Sequence, residues 1–232
     1  MSPARYEFKY LVTPEVAERI GERAAMFMEC DGMGTQGTYR VTSLYLDRWD
    51  WMLARQTWEG LRERFKLRLR YYDESDDTFF AEVKLRIGNS ISKLRQVVSA
   101  DVAHALAEGA ALPADAALEG QFRTLSEKID AQPRLWVRYQ RQAFVSPWGD
   151  GSRLTFDTEL EVQIPDGTTR PDPGEWSYVA LEAPVVVEMK FNGAFPKWMQ
   201  HVSESLGLRR TSCSKYAQGA ELLGDYPWAL GA

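Results

Sequence analysis

Cysteine and histidine are scarce in this sequence, and their scarcity excludes several classes of protein. Among 232 residues there are two cysteines, Cys30 and Cys213, and two histidines. Two distant cysteines cannot form the dense disulfide framework of a small secreted domain. Without a CxxC pair or further histidines, a structural zinc site is not expected either. We therefore predict a protein of a reducing compartment that depends on neither kind of cross-link.

Long apolar runs and an excess of basic residues are also missing. No segment approaches the roughly 18 apolar residues of a membrane-spanning helix, and the first residues contain no apolar signal-peptide core. Lysine and arginine total 28 against 33 aspartate and glutamate residues, a formal net charge of −5. This balance does not favour nucleic-acid binding. We expect a soluble, cytoplasmic protein that binds no nucleic acid.

What the sequence does contain is alternation between polar and apolar residues, which is typical of strands with one face against a core. The clearest segments are residues 5–10, 39–47, 62–70, 81–87, 91–98, 135–144, 153–157, 160–164 and 185–191. About eight or nine strands are enough to close a barrel.

Helical patterns are interspersed with the strands. They cover residues 14–28, 50–56, 101–108, 119–131, 196–206 and 214–223, and two of them have a capping residue at the start. No change in composition marks an interdomain linker. We predict a single domain over residues 1–232, mainly β (α+β), with an antiparallel barrel and peripheral helices.

Residues 62–70 carry the most informative pattern, because five basic side chains alternate there with other residues, three of them apolar. Neighbouring basic side chains on one strand face lie about 6.6 Å apart and repel by roughly 2.5 kcal/mol at an effective dielectric of about 20. If the apolar side packs against helices, the basic side points inward and needs carboxylates and a bound polyanion. The alternative is a solvated edge strand whose arginines prevent aggregation.

Mixed charged faces recur on other predicted strands, at residues 5–9, 82–86 and 188–190. In each case cations and a carboxylate share one side and apolar residues occupy the other. One or two such strands are ordinary in a sheet with one solvated face. Four of them, spread from residue 5 to residue 190, favour a shared polar interior.

Nine short motifs follow one another along the chain. They are residues 5–12 (RYEFKYLV), 43–47 (SLYLD), 60–71 (GLRERFKLRLRY), 82–84 (EVK), 93–95 (KLR), 139–144 (YQRQAF), 153–157 (RLTFD), 186–191 (VVEMKF) and 214–216 (SKY). In this order they resemble the VTC domain, the polyphosphate polymerase module of the vacuolar transporter chaperone complex. That family belongs to the triphosphate tunnel metalloenzymes, also called CYTH-like proteins. The resemblance covers nearly the whole chain.

The resemblance implies a closed antiparallel β-barrel tunnel of about eight strands. Basic side chains in the tunnel would hold ATP, triphosphate or polyphosphate, and a carboxylate would hold a divalent metal, Mn²⁺ or Mg²⁺. The implied catalytic phosphate contacts are Lys9, Arg68, Arg70, Lys84, Arg141, Arg153 and Lys215. Tyr139 and Ser214 match hydroxyl contacts, and Glu188 matches the metal ligand. We add Arg64 and Lys66 as substrate-binding candidates, because alternation places them on the face of Arg68.

The leading hypothesis is a metal-dependent polyphosphate polymerase that transfers the γ-phosphoryl group of ATP to phosphate or to a growing chain. The alternatives are an inorganic or nucleoside triphosphatase and a non-catalytic polyphosphate-binding module. The sequence departs from the family's polymerases at Ser212, where they carry a lysine, which keeps the non-catalytic alternative open. The chain contains no SPX domain and no membrane segment, so we expect any membrane-protein partner to be a separate chain.

Overall fold

The structure is a computed structural model that describes residues 5–72, 78–88, 90–112, 118 and 120–223. The described residues form ten strands and six helices. The strands are β1 (Arg5–Val12), β2 (Glu29–Cys30), β3 (Thr38–Asp47), β4 (Glu63–Tyr72), β5 (Phe79–Ile87), β6 (Ser90–Val98), β7 (Gln132–Val145), β8 (Arg153–Gln163), β9 (Ser177–Tyr178) and β10 (Val185–Asn192). The helices are α1 (Pro14–Ala24), α2 (Met52–Trp58), α3 (Ala100–Glu108), α4 (Gly120–Ile129), α5 (Lys197–Ser205) and α6 (Lys215–Leu222). The predicted mainly β class with helices is confirmed.

One sheet contains all ten strands, and its main path runs β1-β10-β8-β7-β3-β4-β5-β6. The pairs β1–β10, β10–β8, β3–β4, β4–β5 and β5–β6 are antiparallel. The path begins at β1 and ends at β6, so over the described residues the sheet is open. The prediction of a closed barrel is therefore wrong. Strand β6 is mostly exposed and carries Lys93 and Arg95, which is typical of an unpaired edge strand.

Strand β8 is continuous where the sequence pattern predicts two short strands. The interruption coincides with Glu159, which is exposed and has a φ of 51°, in the left-handed region. Such a residue shifts the alternation of a strand locally, as in a β-bulge, while pairing continues on either side.

The chain groups into two compact units, each with its own hydrophobic core. Unit 1 comprises residues 1–40, 139–160 and 180–213, and unit 2 comprises residues 41–138, 161–179 and 214–232. The core of unit 1 includes Tyr10, Ile20 and Val187, all almost fully buried. The core of unit 2 includes Leu67 and Trp136. A single domain over residues 1–232 stays a prediction.

Helix α6 in unit 2 is fixed at its start by two hydrogen bonds. The Ser214 hydroxyl accepts from the Ala217 amide at 3.2 Å, as expected of an N-cap. The Tyr216 hydroxyl donates to the Asp47 carboxylate at 2.6 Å, and Asp47 also accepts from the Leu53 amide at 2.9 Å. Burial raises the pKa of Asp47, although these hydrogen bonds oppose the shift. In the described part of the chain, no helix has the length and apolarity needed to cross a bilayer.

Candidate functional site

Strands β4, β5 and β6 present one charged face in unit 2, opposite the side that contributes to the core. Along this face the directly opposed residues are Arg64 and Arg86; Lys66, Lys84 and Lys93; and Arg68, Glu82 and Arg95. We call these eight residues, together with Arg70, the cationic face. Over the described residues of the three strands it has eight cations and one carboxylate. Like charges directly opposite each other destabilise a sheet, so the binding of an anion would stabilise this face.

The one carboxylate of the cationic face, Glu82, is shared by three guanidinium groups. Its oxygens lie 2.5 Å from Arg68, 3.9 Å from Arg70 and 3.5 Å from Arg95. Burial would raise the pKa of Glu82, but Arg68 and Arg70 outweigh burial and lower it to about 2. Glu82 is therefore ionised at neutral pH and offsets only a small part of the positive charge.

Polar groups of β3 orient the two central arginines. Arg68 donates to the Tyr45 hydroxyl at 3.1 Å, and Arg70, which is buried, donates to the Ser43 hydroxyl at 3.1 Å. Burial would raise the pKa of Tyr45, yet Arg68 and Arg70 outweigh burial and lower it. Guanidinium groups held in this way are preorganised to bind phosphate oxygens as bidentate donors.

The start of α6 adds two predicted residues to the same unit. Lys66 donates to the Ser214 hydroxyl at 2.7 Å, and the neighbouring Lys215 is buried. Tyr45 stacks on Tyr216 with ring centroids 4.4 Å apart. Because Tyr45 also accepts a hydrogen bond from Arg68, this stacking connects α6 to Arg68. Seven predicted site residues therefore lie in unit 2: Arg64, Lys66, Arg68, Arg70, Lys84, Ser214 and Lys215.

Arg64 occupies the outer end of the cationic face. Its guanidinium donates to the Leu61 carbonyl, and Arg86 is its direct neighbour on β5. Partial burial, together with the charge of Arg86, lowers the pKa of Arg64. The alternation that placed Arg64 and Lys66 on the face of Arg68 is confirmed by the register, whereas their role in binding substrate stays a prediction.

Unit 1 has a charged face of different composition. Its cations are Lys9, Arg141, Arg153 and Lys190, and its carboxylates are Glu7, Asp31, Asp157 and Glu188. We call these eight residues the balanced face, because four cations meet four carboxylates within salt-bridge distance. Five predicted site residues belong to this unit: Lys9, Tyr139, Arg141, Arg153 and Glu188.

Glu188 is the centre of the balanced face. Its carboxylate lies 3.0 Å from Lys9, 2.6 Å from Lys190 and 3.7 Å from Arg141. Burial alone would lower the pKa of Lys9, but Glu188 and Glu7 outweigh burial and raise it. The pKa of Lys190 is instead lowered, because burial and the charge of Arg141 outweigh the attraction of Glu188.

Arg141 and Arg153 are bound to other carboxylates. Arg141 forms a bidentate pair with Asp157 at 2.6 and 2.7 Å, and its guanidinium lies 5.1 Å from the ring centroid of Tyr139. Burial would lower the pKa of Arg141, but Asp157 outweighs it and the pKa is raised. Arg153 pairs with Asp31 at 2.5 Å. The structure thus brings Lys9, Arg141 and Glu188 together, whereas Arg153 is paired elsewhere on the face.

The surroundings of Glu188 fit a divalent metal that is bound together with phosphate. No group of three or more His, Cys, Asp or Glu residues converges as metal ligands within the described ranges, so the protein alone offers no complete cage there. Mg²⁺ usually keeps waters and takes one or two carboxylates plus substrate phosphates. Directly opposite Glu188 on β8, the Thr155 hydroxyl is buried and has no hydrogen-bond partner. A carboxylate and an unsatisfied hydroxyl oxygen are suitable neighbours for such an ion and its water, provided that the bound phosphate takes over the cations that contact Glu188.

Several charged residues of the two faces are not among the candidates that the sequence analysis assigned. Lys93 and Arg95 enter the cationic face through the β5–β6 register, and the alternation of residues 91–97 was the available signal. Lys190 has the same kind of signal on β10. Asp31 follows the two-residue strand β2, so no periodic pattern could have identified it as the partner of Arg153.

Comparisons with known proteins identify the family and related folds. Residues 4–224 match the VTC domain family. No curated protein matches the sequence. Among solved structures, a candidate adenylate cyclase from Bacillus halodurans is similar, with a TM-score of 0.56, 14% identity and coverage of 92% of this chain and 95% of that chain.

Two further solved structures are similar over most of their length. A Pyrococcus horikoshii protein has a TM-score of 0.48 and 10% identity, with 94% of this chain and 97% of that chain covered. A candidate adenylate cyclase from Vibrio parahaemolyticus has a TM-score of 0.49 and 11% identity, with 94% and 98% covered. At these identities the fold alone is compared, and among these three the Bacillus structure supports a shared fold.

Proposed function

Since the chain belongs to the VTC domain family, we propose that it is a metal-dependent polyphosphate polymerase, which transfers the γ-phosphoryl group of ATP to phosphate or to a growing polyphosphate chain. The observation that carries the proposal is the cationic face, with eight cations and one carboxylate. A surface with so little internal counter-charge is suited to a ligand with several negative charges. A triphosphate or a polyphosphate chain has that character.

The chemistry of phosphoryl transfer suits such a surface. The protein contributes mainly by positioning the reacting groups and by neutralising charge on the transferred group's oxygens. Arg68 and Arg70 have guanidinium groups already oriented by Tyr45 and Ser43, so little reorganisation is needed when phosphate oxygens arrive. Lys66, Lys84 and Lys215 would supply further positive charge to the same ligand.

The balanced face would contribute through Glu188. We assign Glu188 as the residue that holds Mn²⁺ or Mg²⁺, with Lys9, Arg141 and Arg153 as further phosphate contacts and Tyr139 and Ser214 as hydroxyl contacts. A bound divalent ion supplies charge neutralisation at the phosphate oxygens. When phosphate binds, Lys9 and Arg141 can exchange a carboxylate partner for a phosphate oxygen without losing all compensation, because Glu7 and Asp157 remain near them.

An assay of products distinguishes this function from the alternatives. The purified protein is incubated with ATP and Mn²⁺, and the products are examined by gel electrophoresis and by phosphate release. Long chains are the expected result. Free phosphate without chains would instead indicate a triphosphatase, and binding without turnover would indicate a polyphosphate-binding module. A location in the cytoplasm and a separate membrane-protein partner stay predictions.

The metal role of Glu188 is tested by Glu188→Gln in the same assay. We expect turnover to be lost while circular dichroism shows a folded protein, since glutamine keeps the shape but not the charge of the side chain. Glu182→Gln is the matched control, because Glu182 is exposed and lies shortly before the same strand. Unchanged activity of Glu188→Gln would remove this residue from the metal role.

A further inference from the structure

Next to Arg70, the side of the sheet that carries the cationic face becomes apolar. We call these neighbouring apolar positions the apolar end. Arg70 is directly opposite Phe80 on β5, and Phe80 is directly opposite Val97 on β6. Tyr72 is the next position of this side on β4. Phe80 is half-buried and Val97 is 60% exposed. The core of unit 2 is formed by side chains on the opposite side of these strands. Packing in that core therefore does not explain why Tyr72, Phe80 and Val97 are apolar.

Arg95 lies over this apolar end. Its guanidinium carbon is 3.7 Å from the ring centroid of Phe80 and 5.3 Å from that of Tyr72. The two rings meet edge to face, with centroids 6.0 Å apart. The Arg95 side chain is 43% exposed, so a guanidinium group stacked on a ring remains accessible from solvent. Aromatic rings and arginine planes of this kind are the usual partners of a nucleobase.

The apolar end is continuous with the part of the face that suits phosphates. Adjacent strands are about 4.8 Å apart, so Phe80 is one strand spacing from Arg70 and Arg95 is two from Arg68. A triphosphate bound at Arg68 and Arg70 can therefore place an attached ribose and base over Phe80 and Arg95. Inorganic triphosphate would leave these side chains without a ligand.

We propose that Phe80, Arg95, Tyr72 and Val97 form a base-stacking platform, which makes the cationic face a site for nucleoside triphosphates in preference to inorganic triphosphate. The inference rests on the proposed function in one respect, namely that the cationic face binds the triphosphate. It adds the residues that would bind the base of the nucleotide and so select it over inorganic triphosphate. Stacking is tolerant of base identity, because every base has a π-face.

The test compares the affinities of the full chain for ATP and for ribose 5-triphosphate, which lacks only the base. By calorimetry we expect ATP to bind about tenfold more tightly, as one stacked base provides. Phe80→Leu should weaken ATP binding about tenfold and leave ribose 5-triphosphate within about twofold of the wild type. Arg95→Lys, which keeps the charge but not the planar group, should have the same selective effect.

Phe79→Leu is the matched control, since it makes the same change at the neighbouring position, whose side chain lies in the core. It should leave the ratio of the two affinities unchanged. Equal affinities in the wild type, or equal weakening of both ligands by Phe80→Leu and by Arg95→Lys, would overturn the platform while leaving triphosphate binding intact. If neither ligand binds the wild type, both the platform and the proposed function fail.

Discussion

The two charged faces of this protein both consist mainly of alternating strand residues, but they differ in their balance of positive and negative charge. The cationic face has eight cations and one carboxylate, Glu82, which contacts three of the arginines, whereas on the balanced face four cations meet four carboxylates. The balanced face therefore carries as many carboxylates as cations, whereas the cationic face carries seven more cations than carboxylates. This difference indicates that the cationic face gains most when a polyanion binds, because ligand charge replaces repulsion between neighbouring side chains.

The two faces also differ in how neighbouring charges shift the pKa values of individual side chains. Glu82 is surrounded by guanidinium groups, and its pKa is lowered to about 2. On the balanced face, Lys9 and Lys190 both contact Glu188, yet the pKa of Lys9 is raised and that of Lys190 is lowered. The charge of Arg141 contributes to lowering the pKa of Lys190, whereas Lys9 forms salt bridges with both Glu188 and Glu7.

The largest effect is expected from reversing a charge at the centre of the cationic face. Arg70→Glu would place a second carboxylate beside Glu82 and should reduce tripolyphosphate affinity about a thousandfold, or about 4 kcal/mol. In a thermal unfolding experiment, the stabilisation by tripolyphosphate should disappear. Arg68→Glu, at a more exposed position, should behave in the same way.

Arg19→Glu serves as the control for this reversal, because it makes the same charge change on the exposed side of α1. It should retain the full thermal shift. If the Arg70 and Arg68 variants also retain it, the contrast between the two faces has no bearing on anion binding.

A somewhat smaller change, in the free energy of unfolding, is expected when the pH is lowered. The folded-state pKa of Glu82 is about 2, below its ordinary value of 4.5, so the carboxylate stabilises the folded state above pH 4.5. That contribution, about 3 kcal/mol, should be lost as the pH falls from 4.5 towards 2. Urea unfolding between about pH 5 and pH 3 should show a smaller loss of stability in Glu82→Gln than in the wild type.

Glu63→Gln is the control for the acid experiment, since Glu63 lies on β4 but is exposed. Its pH dependence should match that of the wild type. Identical acid profiles for Glu82→Gln and the wild type would show that Glu82 is not held by the arginines in solution.

The smallest effects on stability are expected from substitutions of two buried tyrosines, one in each unit. Tyr216→Phe removes a 2.6 Å hydrogen bond to the buried carboxylate of Asp47 and should cost about 2 kcal/mol of unfolding free energy. Tyr10→Phe removes a longer contact, 3.3 Å to the Ser203 hydroxyl, and should cost about 0.5 kcal/mol. Chemical denaturation measures both, and equal costs would contradict the anchoring of α6 through Tyr216.

Much of the local structure could be predicted from the sequence. The strands and the charged sides of β4, β5 and β10 follow from alternation, and Ser214 marks the start of α6. Predicted helix ends are less accurate. Helix α1 ends at Ala24, four residues earlier than its pattern indicates, and Phe27 beyond it stacks on Trp198 at 5.3 Å. That contact belongs to tertiary packing, which local periodicity does not contain.

Closure of the sheet was not predictable in the same way. A count of about eight strands allows a barrel, but closure requires that the first and last strands of the pairing order meet, and here the order ends at β1 and β6. The partners of the charged side chains were equally inaccessible. Lys66 and Ser214 are separated by 148 residues, and Arg153 and Asp31 by 122.

The sequence by itself determined the family, the longer strands and which side chains share the charged side of each of them. These are properties of short motifs and of a two-residue period, so a few consecutive residues contain them. Only the tertiary structure decided which carboxylate compensates which cation. Ion pairing depends on strand register and on contacts between distant segments, and it placed four carboxylates among the cations of one face and a single carboxylate among those of the other.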